Sequence, residues 1–168
     1  MPRKNFKITP HLSYYEVIRS QTATRKGINN EPNEIQLENI RRLAEYIFEP
    51  LREIVSTERG VSTPLRITSC FRSKRLNTAI GGSKSSDHCS GNAMDIDIDG
   101  MYDEDDLINA DIFYIIEEQL PFDQVIWEFG NDNNPGWVHV GYRGVAENRN
   151  QILRAFRGED GRTNYKPF

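Results

Sequence analysis

Between Asn33 and Ile54 the apolar residues fall at three- and four-residue steps: Ile35, Leu37, Ile40, Leu43, Ala44, Ile47, Phe48, Leu51 and Ile54. That spacing predicts a long amphipathic helix packed on a core, kinked where Pro50 removes a backbone donor. Upstream, Ser13-Tyr14-Tyr15-Glu16 has the form of a capping box, so a short helix should begin there and end near Ser20. Leu65 to Cys70 reads as a strand, and Lys74 to Ala79 as a short helix stopped by Gly81-Gly82. Ser83 to Gly91 is polar and without period, hence a loop. From Ala93 to Ile98 the chain alternates, with Met94, Ile96 and Ile98 on one face and Ala93, Asp95 and Asp97 on the other. Asp103 to Gln119 predicts a second amphipathic helix whose acidic start suits the helix dipole. Gln124 to Phe129 and Trp137 to Tyr142 then read as two strands around a turn rich in Gly, Asn, Asp and Pro. Helices come early and strands late, which points to an α+β fold with a small antiparallel sheet packed on helices.

The last two strands carry a further expectation. Directly opposed residues of an antiparallel pair share a face, and faces alternate with period two. Val125, Trp127, Phe129, Val138, Val140 and Tyr142 then form one apolar face, leaving Ile126, Glu128, Trp137 and His139 on the other. Setting Glu128 opposite His139 satisfies the pattern, with the loop centred on Asn133 and Asn134. Asp95 also faces away from its apolar neighbours, so three strands should place their polar chemistry on one surface.

At 168 residues the chain is long enough to bury a core, with no repeat, low-complexity tract or linker to divide it, so residues 1–168 are expected to form one domain. The net charge of −4 argues against a nucleic-acid partner. Basic residues do gather late, at Arg154, Arg157, Arg162 and Lys166, and read as a solvated tail or a contact for an anionic polymer. No stretch approaches the roughly 20 apolar residues of a membrane span. Met1 to Lys7 is basic but lacks the apolar segment of a secretory signal, which is the pattern of a protein made in the cytoplasm or of one whose signal has been removed. Cys70 and Cys89 do not form a disulfide framework; two buried thiols are the simplest reading, a single disulfide the alternative.

His88 and Asp95 stand seven residues apart among small residues, and His139 lies in Trp137-Val138-His139. Two neutral imidazoles and a carboxylate suit zinc, and three protein ligands leave one position open, as catalytic sites do. The pattern Ser86-x-His88-x-x-Gly91-x-Ala93-x-Asp95, followed by Trp-Val-His, resembles the M15 peptidases. The resemblance extends to Ile67-Thr68-Ser69-Cys70-Phe71-Arg72-Ser73, Leu76-Asn77 and Gly81-Gly82, and back to Ser20-Gln21-Thr22-Ala23 and Gly27-Ile28-Asn29-Asn30. It is clearest over residues 12–142, leaving 143–168 as a C-terminal extension.

That family comprises zinc D-Ala-D-Ala carboxypeptidases, the branch this chain resembles, and related peptidoglycan peptidases, all sharing a fold with the hedgehog signalling domain. The resemblance implies a Zn2+ cofactor held by His88, Asp95 and His139, and a peptidoglycan peptide as substrate. It implies that Arg72 stabilises charge on the scissile carbonyl or meets the substrate, and that Ser86 contacts substrate, although a loop-capping hydroxyl explains Ser86 nearly as well. Many relatives place an acidic residue three positions before the last zinc histidine, but Gly136 stands there. Glu128 is therefore assigned as the catalytic base on the hairpin register as well as on the resemblance, with Asp132 the weaker alternative and Asp97 either a residue orienting a ligand or a solvated one. The expected activity is D-Ala-D-Ala carboxypeptidase. An endopeptidase cutting L-Ala-D-Glu, as in a phage or prophage lysin acting at the cell wall, and a non-catalytic wall-binding module remain as alternatives. A monomer is expected.

Overall fold

In the computed structural model, which describes residues 5–103 and 106–168, helices cover one face of a six-stranded sheet. A small hairpin opens the chain, β1 (Lys7–Thr9) with β2 (Leu12–Ser13), and leads into α1 (Tyr14–Ile18). The capping box is present: the Ser13 hydroxyl accepts from the Glu16 amide while the Glu16 carboxylate accepts from the Ser13 amide. A helix not anticipated from the apolar pattern follows, α2 (Gln21–Lys26), capped by Ser20 at one end and by left-handed Gly27 at the other.

The long periodic segment is helical from α3 (Glu34–Leu43) through a π-turn at Ala44–Phe48 into α4 (Glu49–Arg59). Pro50 follows closely on the π-turn, and its missing N–H leaves the continuous helix one bond short there, which is where the expected irregularity falls. Ile40, Leu43, Ala44, Ile47, Phe48 and Leu51 are buried as the period requires, whereas Ile35, in the first turn, points to solvent at 75% exposure.

The sheet order is β3 (Ile67–Ser69), β4 (Ala93–Ile96), β6 (Trp137–Gly141), β5 (Gln124–Glu128), β7 (Gln151–Arg157), β8 (Thr163–Pro167). Two expectations change here. The sheet is mixed, because β5 and β7 pair in parallel. The expected basic tail is instead the β7–β8 hairpin, which extends the same sheet. Between β3 and β4 lie α5 (Lys74–Ala79) and a 3₁₀ turn at Asp87–Ser90. The second amphipathic helix is shorter than the pattern predicted: α6 spans Asn109–Gln119, and residues 104 and 105 lie outside the described ones.

Met94, Ile96, Val125, Trp127, Val138 and Val140 face the helices and join Ile40, Leu43, Ile47, Leu51, Phe113 and Ile116 in one core. Each large side chain so buried stabilises the fold by about 1.5–3 kcal/mol relative to exposure. With one face occupied by that core, alternation leaves the polar residues of the same strands on the other. Among the described residues no helix is long and apolar enough to cross a membrane.

Candidate active site

His88 enters the open face from the 3₁₀ turn. The turn is docked on α3, whose Gln36 and Asn39 side chains donate to the Cys89 and Ser90 carbonyls at 3.0 and 2.9 Å. Gly91 closes it with φ +77°, and a Cβ there would stand 2.5 Å from the Gln36 carbonyl oxygen, so only glycine allows this approach. The imidazole lies 2.6 Å from the Cys70 carbonyl through Nδ1. A carbonyl only accepts, so Nδ1 carries the proton and Nε2 the lone pair. Burial lowers the pKa of His88, which keeps the ring neutral.

Asp95 and His139 are direct cross-strand partners on β4 and β6. With His88 they form a nearly equilateral triangle: Nε2 of His88 is 3.1 Å from Asp95 Oδ1 and 3.2 Å from His139 Nδ1, and the latter two are 3.0 Å apart. The lone pair on His88 Nε2 cannot donate to a carboxylate oxygen 3.1 Å away; acceptors this close are reconciled by a cation. A tetrahedral zinc with bonds of about 2.0–2.1 Å sets its ligand atoms roughly 3.3–3.4 Å apart, so the donor set and its spacing fit that ion. The outer oxygen of Asp95 accepts from Arg72 Nη2 at 2.6 Å, and Arg72 Nε donates to Ser69 Oγ at 2.8 Å. Burial pushes the Asp95 carboxyl upward, but in the metal-free protein the hydrogen bond with His139 helps hold the group below the ordinary carboxylate range.

The sequence of residues 10–141 matches the sequence model of the peptidase M15 family. The chain belongs to that family. A comparison with curated proteins gave no match. M15 peptidases are zinc-dependent metallopeptidases, and the His88, Asp95 and His139 cluster is suited to such an ion.

The triad lies in a cleft of about 830 Å³ whose lining includes Arg72, Ser86, Glu128, Trp137 and Tyr165. Glu128 reaches it by a register different from the one expected. Its direct partner is Trp137, while His139 opposes Ile126. The slip is two residues, so the faces are as predicted and Glu128 is diagonal to His139. Glu128 is 7% exposed, and burial pushes its carboxyl up to about 7, with His139 drawing it back and Asp95 reinforcing the rise. Asp132 is far from this arrangement: its side chain is 91% exposed and pairs with Arg154 at 2.7 Å. Asp97 does not join the triad either, being held by Arg66 and Asn109. Both thiols are free, Cys70 buried with its pKa pushed up to about 12 by burial, and Cys89 only half-buried.

Several residues around the cleft escaped the sequence pattern. Phe129 was expected on the apolar face, but φ of +55° turns it out of the strand, and its ring packs beside Trp137 with centroids 5.3 Å apart in the cleft wall. Arg157 and Tyr165, from the hairpin mistaken for a tail, line the same cleft. Asn30 is a buried brace behind Arg72, donating to the Ile18 and Phe71 carbonyls at 2.8 and 3.0 Å and accepting from the Ser73 amide at 2.7 Å. Its only signal was its place in the family-like segment Gly27 to Asn30.

Proposed function

We propose that the chain is a zinc peptidase cleaving the stem peptides of peptidoglycan, acting as a D-Ala-D-Ala carboxypeptidase. The observation that carries the peptidase chemistry is Glu128, a buried carboxylate diagonal to His139 on the face that holds the triad. A module that only binds has no use for such a group beside an ion site.

His88, Asp95 and His139 would hold the ion, and the chemistry zinc would supply when bound is Lewis acidity towards the carbonyl and an acidified nucleophile. Glu128 takes the proton of the attacking water and returns it to the departing amine, a role its buried position diagonal to His139 suits. Arg72 uses Nε and Nη2 on Ser69 and Asp95, and its Nη1 is left to stabilise charge growing on the carbonyl oxygen. Ser86, at the rim of the cleft, meets the peptide.

The test is digestion of purified muropeptides with zinc-loaded protein, the products being weighed by mass spectrometry. Release of single alanine from pentapeptide stems is expected. Cleavage between L-Ala and D-Glu would replace the carboxypeptidase with an endopeptidase, and intact muropeptides would leave a binding module.

A further inference from the structure

Beyond the family match, which ends at residue 141, the β7–β8 hairpin builds one wall of the cleft. Register places its side chains. Glu128 is level with Ala155, and Ala155 with Tyr165, so Glu128, Ala155 and Tyr165 form a row across three strands on the site face. Arg157 and its partner Thr163 lie one step further along the same face.

Four arginines line the cleft. Arg72 is committed to Asp95 and Arg149 to Asp87 and Asp123, while Arg162 stands in solvent, its side chain 85% exposed and in only a loose 3.6 Å contact with Asp160. Arg157 has no carboxylate in ion-pair contact among the described residues. It is nonetheless held in place: Nη1 donates to Thr163 Oγ1 at 2.9 Å, and the guanidinium lies 4.6 Å from the centroid of Phe129. Phe129 is in that position only because its backbone adopts φ +55°, a conformation a bulky residue rarely takes. Arg157 also draws the Glu128 pKa down somewhat, so its charge is felt at the site.

We propose that Arg157 is a specificity-determining residue that binds a carboxylate of the peptide substrate, resting on the peptidase reading above. A planar guanidinium seated on an aromatic ring and lacking an acid of its own fits a carboxylate in two-point contact. Stem peptides offer two such groups, the C-terminal carboxylate and the α-carboxylate of the γ-linked D-Glu, and both present the same chemistry.

Three peptides separate these sources: L-Ala-γ-D-Glu-L-Lys-D-Ala-D-Ala, its C-terminal amide, and its form with the D-Glu α-carboxyl amidated. Calorimetry on zinc-loaded Glu128→Gln protein measures binding without turnover, with Arg157 present, Arg157→Ala or Arg157→Lys. One amidation should weaken binding roughly 10–100-fold when Arg157 is present, as loss of a charge-assisted contact does, and change nothing in Arg157→Ala. Arg157→Lys should restore part of the discrimination. The peptide that loses affinity identifies which carboxylate is held. If Arg157→Ala weakens all three peptides alike, weakens none, or if no peptide binds with Arg157 present, the proposal is overturned. Turnover of the first peptide by the unsubstituted protein separates the two readings. Binding that needs Arg157 without turnover overturns the peptidase alone, and turnover with binding indifferent to Arg157 overturns the Arg157 assignment alone.

Discussion

The imidazole of His88 donates from Nδ1 to the backbone carbonyl of Cys70 at 2.6 Å, and that contact leaves Nε2 as the nitrogen with the lone pair. It ties the 3₁₀ turn to the end of β3 through main chain rather than through the Cys70 thiol. Zinc-loaded protein should therefore hold about one zinc per chain by the three-ligand arrangement, and His88→Ala should lose it on dialysis. Cys70→Ala should keep it, since the accepting atom is the backbone oxygen. Atomic absorption on the three proteins checks this; full zinc in His88→Ala, or loss in a folded Cys70→Ala, would show that the ion is held elsewhere.

Glu128 and Asp132 differ most in their surroundings, and their variants should differ accordingly. Glu128→Gln keeps the shape but cannot take a proton, and positioned general bases contribute about 10²–10⁴-fold in rate. Turnover should fall by that order with zinc retained. Asp132→Asn alters a side chain 91% exposed, and should leave turnover within about twofold, as most surface changes do. The opposite ranking in steady-state kinetics would give the base role to Asp132.

How far the sequence discloses this site follows from what period-two patterns contain. Faces were legible, so Asp95, Glu128 and His139 were placed on one surface from alternation alone. Register was not, because a slip of two residues leaves every side chain on its face, and Glu128 opposite Trp137 or His139 satisfies the same pattern. Phe129 broke the rule through a left-handed backbone that no apolar pattern encodes. The β7–β8 hairpin was missed because an edge pair buries little: of its side chains Ala155 alone is buried, and Lys166 and Pro167 occupy the outer strand as edges often require. α2 did carry a signal in Ser20 and Gly27, a cap at each end, with little apolar content between them to advertise a helix.

Arg72 is joined to Asp95 by Nη2 at 2.6 Å, so its removal should act on two quantities at once. Losing a donor to the developing oxyanion typically costs about 10²–10³ in kcat, with KM little changed. Losing the partner of a ligating carboxylate typically weakens metal binding by about 10–100-fold. Arg72→Ala measured at saturating zinc should show the first effect, and a zinc titration against a competing chelator the second. Arg72→Lys should recover zinc affinity better than kcat, because a point charge can reach Asp95 without reproducing the planar fork. A rise in KM alone would assign Arg72 to ground-state binding of the substrate.

The burial of Glu128 also predicts how the metal-free protein responds to pH. Its pKa is raised from 4.5 to about 7, chiefly by burial. Below about pH 4.5 the group is protonated in both folded and unfolded chains and carries no penalty. Between the two values the unfolded chain ionises while the folded one resists, so stability is lost as pH rises, and the loss is complete above about 7. One pKa unit corresponds to about 1.4 kcal/mol, so the full penalty is on the order of 3 kcal/mol. In Glu128→Gln that penalty is absent. Asp95 titrates with the opposite sign, being held low and losing its contribution as pH falls, but it is present in both proteins and largely cancels in their difference. Urea unfolding of the two chelator-treated proteins should therefore give similar stabilities near pH 4.5 and a variant more stable by roughly 2–3 kcal/mol at pH 8. A gap that stays constant with pH would mean that Glu128 ionises in the folded protein as easily as in water, and that its surroundings do not prepare it to trade protons near neutrality.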